Sequence, residues 1–146
     1  MLTISTKGRY ATRIMVYLAL RSGDDPARKR EIAEAEGIAD DYVEQLLSRL
    51  RTGGLVKSRR GARGGFLLNR DPGEITVADV LACTEGTVSL VACIEEGCDR
   101  APSCVTRPVW QEANNALLAI FSRQTIAGLA QQASRIEEPG RLSIEF

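Results

Sequence analysis

The sequence predicts a mainly α fold with a small β-wing: a winged helix-turn-helix followed by a long helix suited to dimerisation. Three observations carry this. Helical apolar periodicity recurs in three segments before residue 53, a Gly-rich cationic hairpin follows over 55–68, and a long amphipathic segment runs from about residue 106 to 122.

Residues 8–21 read as the first helix, because Tyr10, Ile14, Tyr17 and Leu18 recur at helical spacing and Ser5 or Thr6 can cap it. The run Ser22-Gly23-Asp24-Asp25-Pro26 breaks it. Residues 28–36 form a second, short helix with Ile32 and Ala33 inward, and Gly37 supplies the turn. Asp40 and Asp41 are placed to cap a third helix over 42–52 by accepting from its unpaired first-turn amides. Val43, Leu46, Leu47 and Leu50 are its apolar stripe, and Gly53-Gly54 ends it. Residues 55–58 and 65–68 are strand-like, joined by the tip Arg59-Arg60-Gly61-Ala62-Arg63-Gly64.

The boundary Asp71-Pro72-Gly73-Glu74 separates a DNA-binding unit, 1–72, from a sensor and dimerisation segment, 73–134, with a flexible tail over 135–146. Thr76 caps a short helix through Val77, Val80 and Leu81, and residues 87–92 are expected to be extended. The stretch 93–104 lacks periodicity, contains Gly97 and Pro102, and reads as a loop. Thr106 then caps the long helix, which tolerates Pro108 because its first turn has no amide partner to lose. Val109, Ala113, Ala116, Leu117 and Ile120 form one stripe beside Trp110 and Phe121, and so long a stripe needs a partner. A last short helix restarts over 122–133.

The formal net charge of zero over 146 residues hides an asymmetry. Residues 1–70 hold 14 Lys and Arg against 8 Asp and Glu, whereas 71–146 hold 5 against 11. A basic front half suits a face presented to a polyanion. With no His, the usual general base is absent and no acid–base or nucleophile constellation is visible, so the chain is expected not to be an enzyme. No apolar run approaches the length of about 18 residues that suggests a membrane span, and the start lacks a signal-peptide core, so the expected location is the cytoplasm.

In a helix-turn-helix the second helix of the pair enters the major groove and its N-terminal residues meet base edges. Those positions are Asp40, Asp41, Tyr42, Glu44 and Gln45. Gln can read adenine, and Glu can accept from the cytosine amino group but is repelled by phosphate. Affinity therefore depends on flanking cations, of which Arg28, Lys29, Arg30, Arg49, Arg51, Lys57, Arg59, Arg60 and Arg63 lie in or beside the motif. Arg60, at a narrow tip, is placed to enter the minor groove. Any one Arg more often just solvates a helix face. Recurrence of the cations on the hairpin tip as well as around the helices favours a double-stranded DNA operator as partner.

Cys93, Cys98 and Cys104 are separated by four and then five intervening residues, in a stretch with three acidic residues. Converging thiolates on such a segment suit an iron–sulfur cluster. A structural zinc site is weakened by the lack of His and of any C-x-x-C pair, and a thiol–disulfide switch is the other competitor. A cluster-carrier protein would use the same cysteines but would not need a wing. Cys83, following Val80 and Leu81 on a helix, reads as a small buried hydrophobe and stays outside the ligand set.

The stretches Thr-Lys-Gly-Arg-Tyr-Ala at 6–11, Tyr-Val-Glu-Gln-Leu-Leu-Ser-Arg-Leu-Arg at 42–51, Gly-Leu-Val at 54–56 and Arg-Gly-Ala-Arg-Gly-Gly-Phe-Leu-Leu at 60–68 resemble the IscR, NsrR and CymR type of winged-helix regulators. With the cysteines after them they span most of residues 1–125. The resemblance implies base-reading positions at Asp41, Tyr42, Glu44 and Gln45, a minor-groove residue at Arg60, and a homodimer paired through the long helix. It also implies that Cys93, Cys98 and Cys104 hold a cluster, 2Fe–2S before 4Fe–4S, although the family includes members without one. This chain departs from the pattern: Arg107 stands where IscR-like members have a ligand His, and Arg9 where NsrR-like members have a carboxylate. Glu95, Glu96, Asp99 or an external ligand are the remaining candidates for a fourth ligand.

Overall fold

The computed structural model describes residues 3–21 and 23–137. Helix α1 (Thr6–Leu20) is capped by Ser5, whose Oγ accepts from the Lys7 amide at 3.1 Å. Helix α2 (Lys29–Glu36) ends on Gly37 at φ 64°, a left-handed turn that a residue with a Cβ adopts only with strain. Helix α3 (Asp40–Thr52) follows directly, completing the helix-turn-helix. Its cap is Ala39 and makes no side-chain cap bond. Asp40 and Asp41 therefore do not cap the helix as expected; they sit inside its first turn, where negative charge favours the helix dipole.

The wing is an antiparallel pair, β1 (Val56–Arg59) and β2 (Gly65–Leu68), with Val56 opposite Leu68 and Arg59 opposite Gly65. It is tied to the helices. The Ala27 amide donates to the Phe66 carbonyl at 3.0 Å, and the Ala27 carbonyl accepts from the Phe66 amide at 2.8 Å. Only glycine allows this approach at position 65, since a Cβ there would lie 2.5 Å from the Ala27 carbonyl oxygen.

The second half of the chain folds back onto the first. Helix α4 (Val77–Glu85) starts with a reciprocal box between Thr76 and Asp79. After it come α5 (Ala92–Glu95), a short 3₁₀ turn (Ala101–Ser103), α6 (Arg107–Arg123) and α7 (Ile126–Glu137). The expected extended segment over 87–92 is not a strand. Residues 87–91 are irregular, because the Leu90 amide is taken by the Asn114 Oδ1 at 3.0 Å instead of by a sheet. The expected loop over 93–104 is likewise partly ordered, with Cys93 on α5. The last helix begins at Ile126, later than expected, because Gln124 and Ile126 bond the backbone at Val77 and Ile75 and so break the helix there. The tail expected over 135–146 lies outside the described residues from 138 onward.

One core joins these elements. Ala11, Ile14, Met15 and Leu18 of α1 meet Ile32 of α2, the predicted stripe Val43, Leu46, Leu47 and Leu50 of α3, Val80 of α4 and Ile126 of α7. Each fully buried aliphatic side chain of this kind contributes roughly 1.5–3 kcal/mol. That fixes which face of α3 turns inward and leaves its polar face to solvent. No helix among the described residues is long and apolar enough to cross a membrane.

Candidate DNA interface and cysteine loop

On α3, burial of Val43, Leu46 and Leu47 exposes Asp40, Asp41, Glu44, Gln45, Ser48 and Arg49. Glu44, Gln45, Ser48, Arg49 and Arg51 line an open groove whose far wall is Phe66 of the wing. Tyr42 is partly withdrawn from this face, since its ring packs edge-on against Tyr10 with centroids 6.0 Å apart.

The predicted cations divide by their partners. Arg28 donates to the Ala62 carbonyl at the wing tip, and Arg59 donates to the Asp24 carbonyl at 2.9 Å with the Asp24 carboxylate 3.7 Å away. Both hold the wing in place. Arg60 and Arg49 are exposed and make no side-chain hydrogen bond or ion pair among the described residues, which leaves their charge available to a polyanion. Lys29, another of the flanking cations, is not free: its ammonium lies 2.9 Å from the Glu44 carboxylate. That hydrogen bond, followed by the charges of Glu44, Asp40 and Asp41, holds Lys29 above the ordinary lysine range.

The cysteines occupy different settings. Cys83 sits on α4 against the C-terminus of α3, so close that a Cβ at Gly53 would overlap its sulfur, and burial followed by the Asp79 charge pushes its thiol up. Cys93 on α5 and Cys104 after the 3₁₀ turn are partly exposed, and Cys98 between them is exposed. Cys104 lies 3.4 Å from the Thr106 hydroxyl. That contact first, then the amides of Thr106 and Arg107 and the charge of Arg100, lowers its thiol from the ordinary cysteine range.

Three free, accessible thiols fit a soft, sulfur-ligated metal group in their donor chemistry. Among the described residues, however, no three His, Cys, Asp or Glu side chains are gathered as a metal cage. The loop would have to close to bring them together. Arg107, at the start of α6, donates to the Cys93 carbonyl at 3.5 Å and so ties α5 to α6. Its Nε is buried without a partner among the described residues.

Sequence reasoning missed two residues that fasten the elements on either side of the segment before the cysteines. The Glu85 carboxylate, at the end of α4, accepts from the Ser5 hydroxyl and from the Gly8 amide, at 3.1 Å, at the start of α1. Buried Asn114 is the other, holding the segment before the cysteines to α6. Gly8 was the available signal for the first. A Cβ there would stand 2.7 Å from Leu81 and 2.8 Å from the Glu85 carboxylate, so a glycine within a helix marks the close approach.

Residues 4–132 match the Rrf2 family, described as iron-dependent transcriptional regulators. The HTH-type transcriptional regulator IscR of Photorhabdus laumondii is 36% identical over 139 residues, covering 94% of this chain and 85% of its own. Among solved structures, CymR, the global cysteine regulator of B. subtilis, superposes with a TM-score of 0.77 at 39% identity, covering 90% of this chain and 98% of its own. IscR of T. potens does so with a TM-score of 0.77 at 34% identity, covering 93% and 91%.

Proposed function

Since the chain belongs to the Rrf2 family and is a DNA-binding transcription regulator, not an enzyme, we propose that it works in the cytoplasm as a homodimer on a two-fold operator. Its affinity for that operator is set by the state of Cys93, Cys98 and Cys104. The observation that carries the DNA reading is the groove between α3 and the wing, walled by Gln45, Arg49 and Phe66, with the exposed Arg60 at the tip of the same wing. Glu44 and Gln45 meet base edges there, Asp41 and Tyr42 stand at the entry of the same helix, and Arg49 and Arg60 meet the backbone and the minor groove. Arg28 and Arg59 contribute by holding the wing. The two-fold partner is a second copy laid along α6. That helix leaves Val109, Trp110 and Ile120 56%, 43% and 44% exposed, an apolar stripe that nothing among the described residues covers.

The three loop thiolates would hold an iron–sulfur cluster, and when bound it supplies a centre whose gain, loss or oxidation reports iron or redox status. The chain's own residues carry that state to the DNA. Arg107 couples Cys93 to α6, Asn114 couples the segment before the loop to α6, and Glu85 couples α4 to the first turn of α1. A loop that closes or opens pulls on the first two, and through them on the angle between dimer helix and DNA-facing helices. Residues 1–72 and 73–134 thus act as reader and sensor packed around one core.

A second reading, a thiol switch without a cluster, is favoured by the likeness to CymR, the global cysteine regulator of B. subtilis, together with the free loop thiols of this chain.

The interface is tested by a salt titration of DNA binding. Arg60→Ala is expected to weaken binding to every duplex and to reduce the slope of log affinity against log salt by about 1. Glu44→Ala is expected to leave that slope nearly unchanged and to relax base preference. Equal affinities of wild type and Arg60→Ala across the titration would remove the wing from the interface.

A further inference from the structure

We infer that Lys29 is a specificity-determining residue: paired to Glu44, it orients that carboxylate toward a base edge and shields it from the DNA backbone. The inference rests on the DNA-binding reading above. Glu44 projects from the exposed face of α3 into the groove, and Asp40 and Asp41 stand one turn before it. Three carboxylates on the entering end of a helix repel phosphate, yet a carboxylate is the acceptor that suits a cytosine amino group. Lys29 resolves the conflict in place. It is the first residue of α2, and its Nζ lies 2.9 Å from the Glu44 Oε2.

The ammonium has three donors, and the carboxylate occupies one of them. In this fold the first helix of the pair crosses the DNA backbone. The remaining donors therefore lie at the helix start that passes nearest a phosphate. One Lys thus bridges backbone and reading carboxylate, so that Glu44 enters the groove neutralised and fixed in direction. Arg49 and Arg51 sit further along α3 and make no ion pair with Glu44 among the described residues, so neither duplicates this contact.

The test is a double-mutant cycle on the full chain, using the duplex that wild-type protein enriches from a random library and the single-base-pair variants of that duplex. The ion pair is exposed, and such pairs add little to stability, so Lys29→Met is expected to fold. Alone, Lys29→Met should weaken binding to the enriched duplex by about tenfold or more and should flatten preference at the base pair that Glu44→Gln identifies. In the Glu44→Gln background the same change should cost only about threefold, the share of one phosphate contact. Lys29→Arg should restore the preference. An equal loss from Lys29→Met in both backgrounds, with base preference intact, would make Lys29 a plain phosphate contact and overturn the inference. Wild-type protein that binds DNA yet enriches no sequence would remove the base-reading role of α3, and the role of Lys29 with it.

Discussion

Ile120→Glu and Val109→Glu are each expected to convert the protein to a monomer whose operator affinity falls by about a hundredfold or more. Both side chains are about half exposed in the single chain, so the changes should leave its core intact. Buried against a second copy, an unpaired carboxylate costs several kcal/mol, enough to separate two helices that meet along one stripe. The loss of affinity then follows from arithmetic. A dimer holds two half-sites through one linkage, which multiplies affinity by about 10²–10⁴ over a single module, and a monomer forfeits that factor. Leu117→Glu is a less clean test, since Leu117 is already partly buried within the chain, where it lines a cleft with Ile4, Leu90 and Phe121. Sedimentation of the variants at micromolar concentration reads the outcome. A variant that stays dimeric would place the interface elsewhere than α6.

The second large effect belongs to the cysteines. Anaerobically purified wild type is expected to carry iron and sulfide with visible absorption, and Cys93→Ala, Cys98→Ala and Cys104→Ala should each abolish that absorption. Two thiolates cannot replace a lost third on so small a centre. Cys83→Ala should retain it, because the Cys83 thiol is packed against Gly53 at the end of α3 and its pKa is raised by burial. Loss of absorption in Cys83→Ala equal to that in the loop variants would make Cys83 a ligand. Protein free of iron and sulfide, whose loop thiols pair when two electrons and two protons pass to added peroxide, would favour the thiol switch.

Much of this architecture was legible because its determinants are local. The stripe Val43, Leu46, Leu47 and Leu50, the turn at Gly37, the hairpin tip and the box at Thr76 each write their structure within a few residues. What escaped was non-local. Asp40 and Asp41 have the chemistry of caps, but Ala39 takes the cap position, and both carboxylates serve the first turn instead. Residues 87–91 look strand-like, yet the Leu90 amide is claimed by Asn114, 24 positions away. Arg28, Arg59 and Lys29 were indistinguishable as cations until their partners Ala62, Asp24 and Glu44 were in view. The cysteine spacing pointed to ligands, and the place of Cys93 on α5 shows that the segment has local helical structure that spacing alone does not reveal.

The central claim is that the state of the loop cysteines sets operator affinity, and one comparison tests it most directly. Anaerobic protein is measured against the same preparation after iron is removed by chelation under oxidant, on the enriched duplex and on a scrambled one at fixed salt. The account predicts that affinity for the enriched duplex changes by about tenfold or more between the two states, a typical allosteric coupling, while affinity for the scrambled duplex stays the same. Identical affinities for the enriched duplex in both states would contradict it, leaving a DNA-binding protein whose cysteines do not report to its DNA-facing helices.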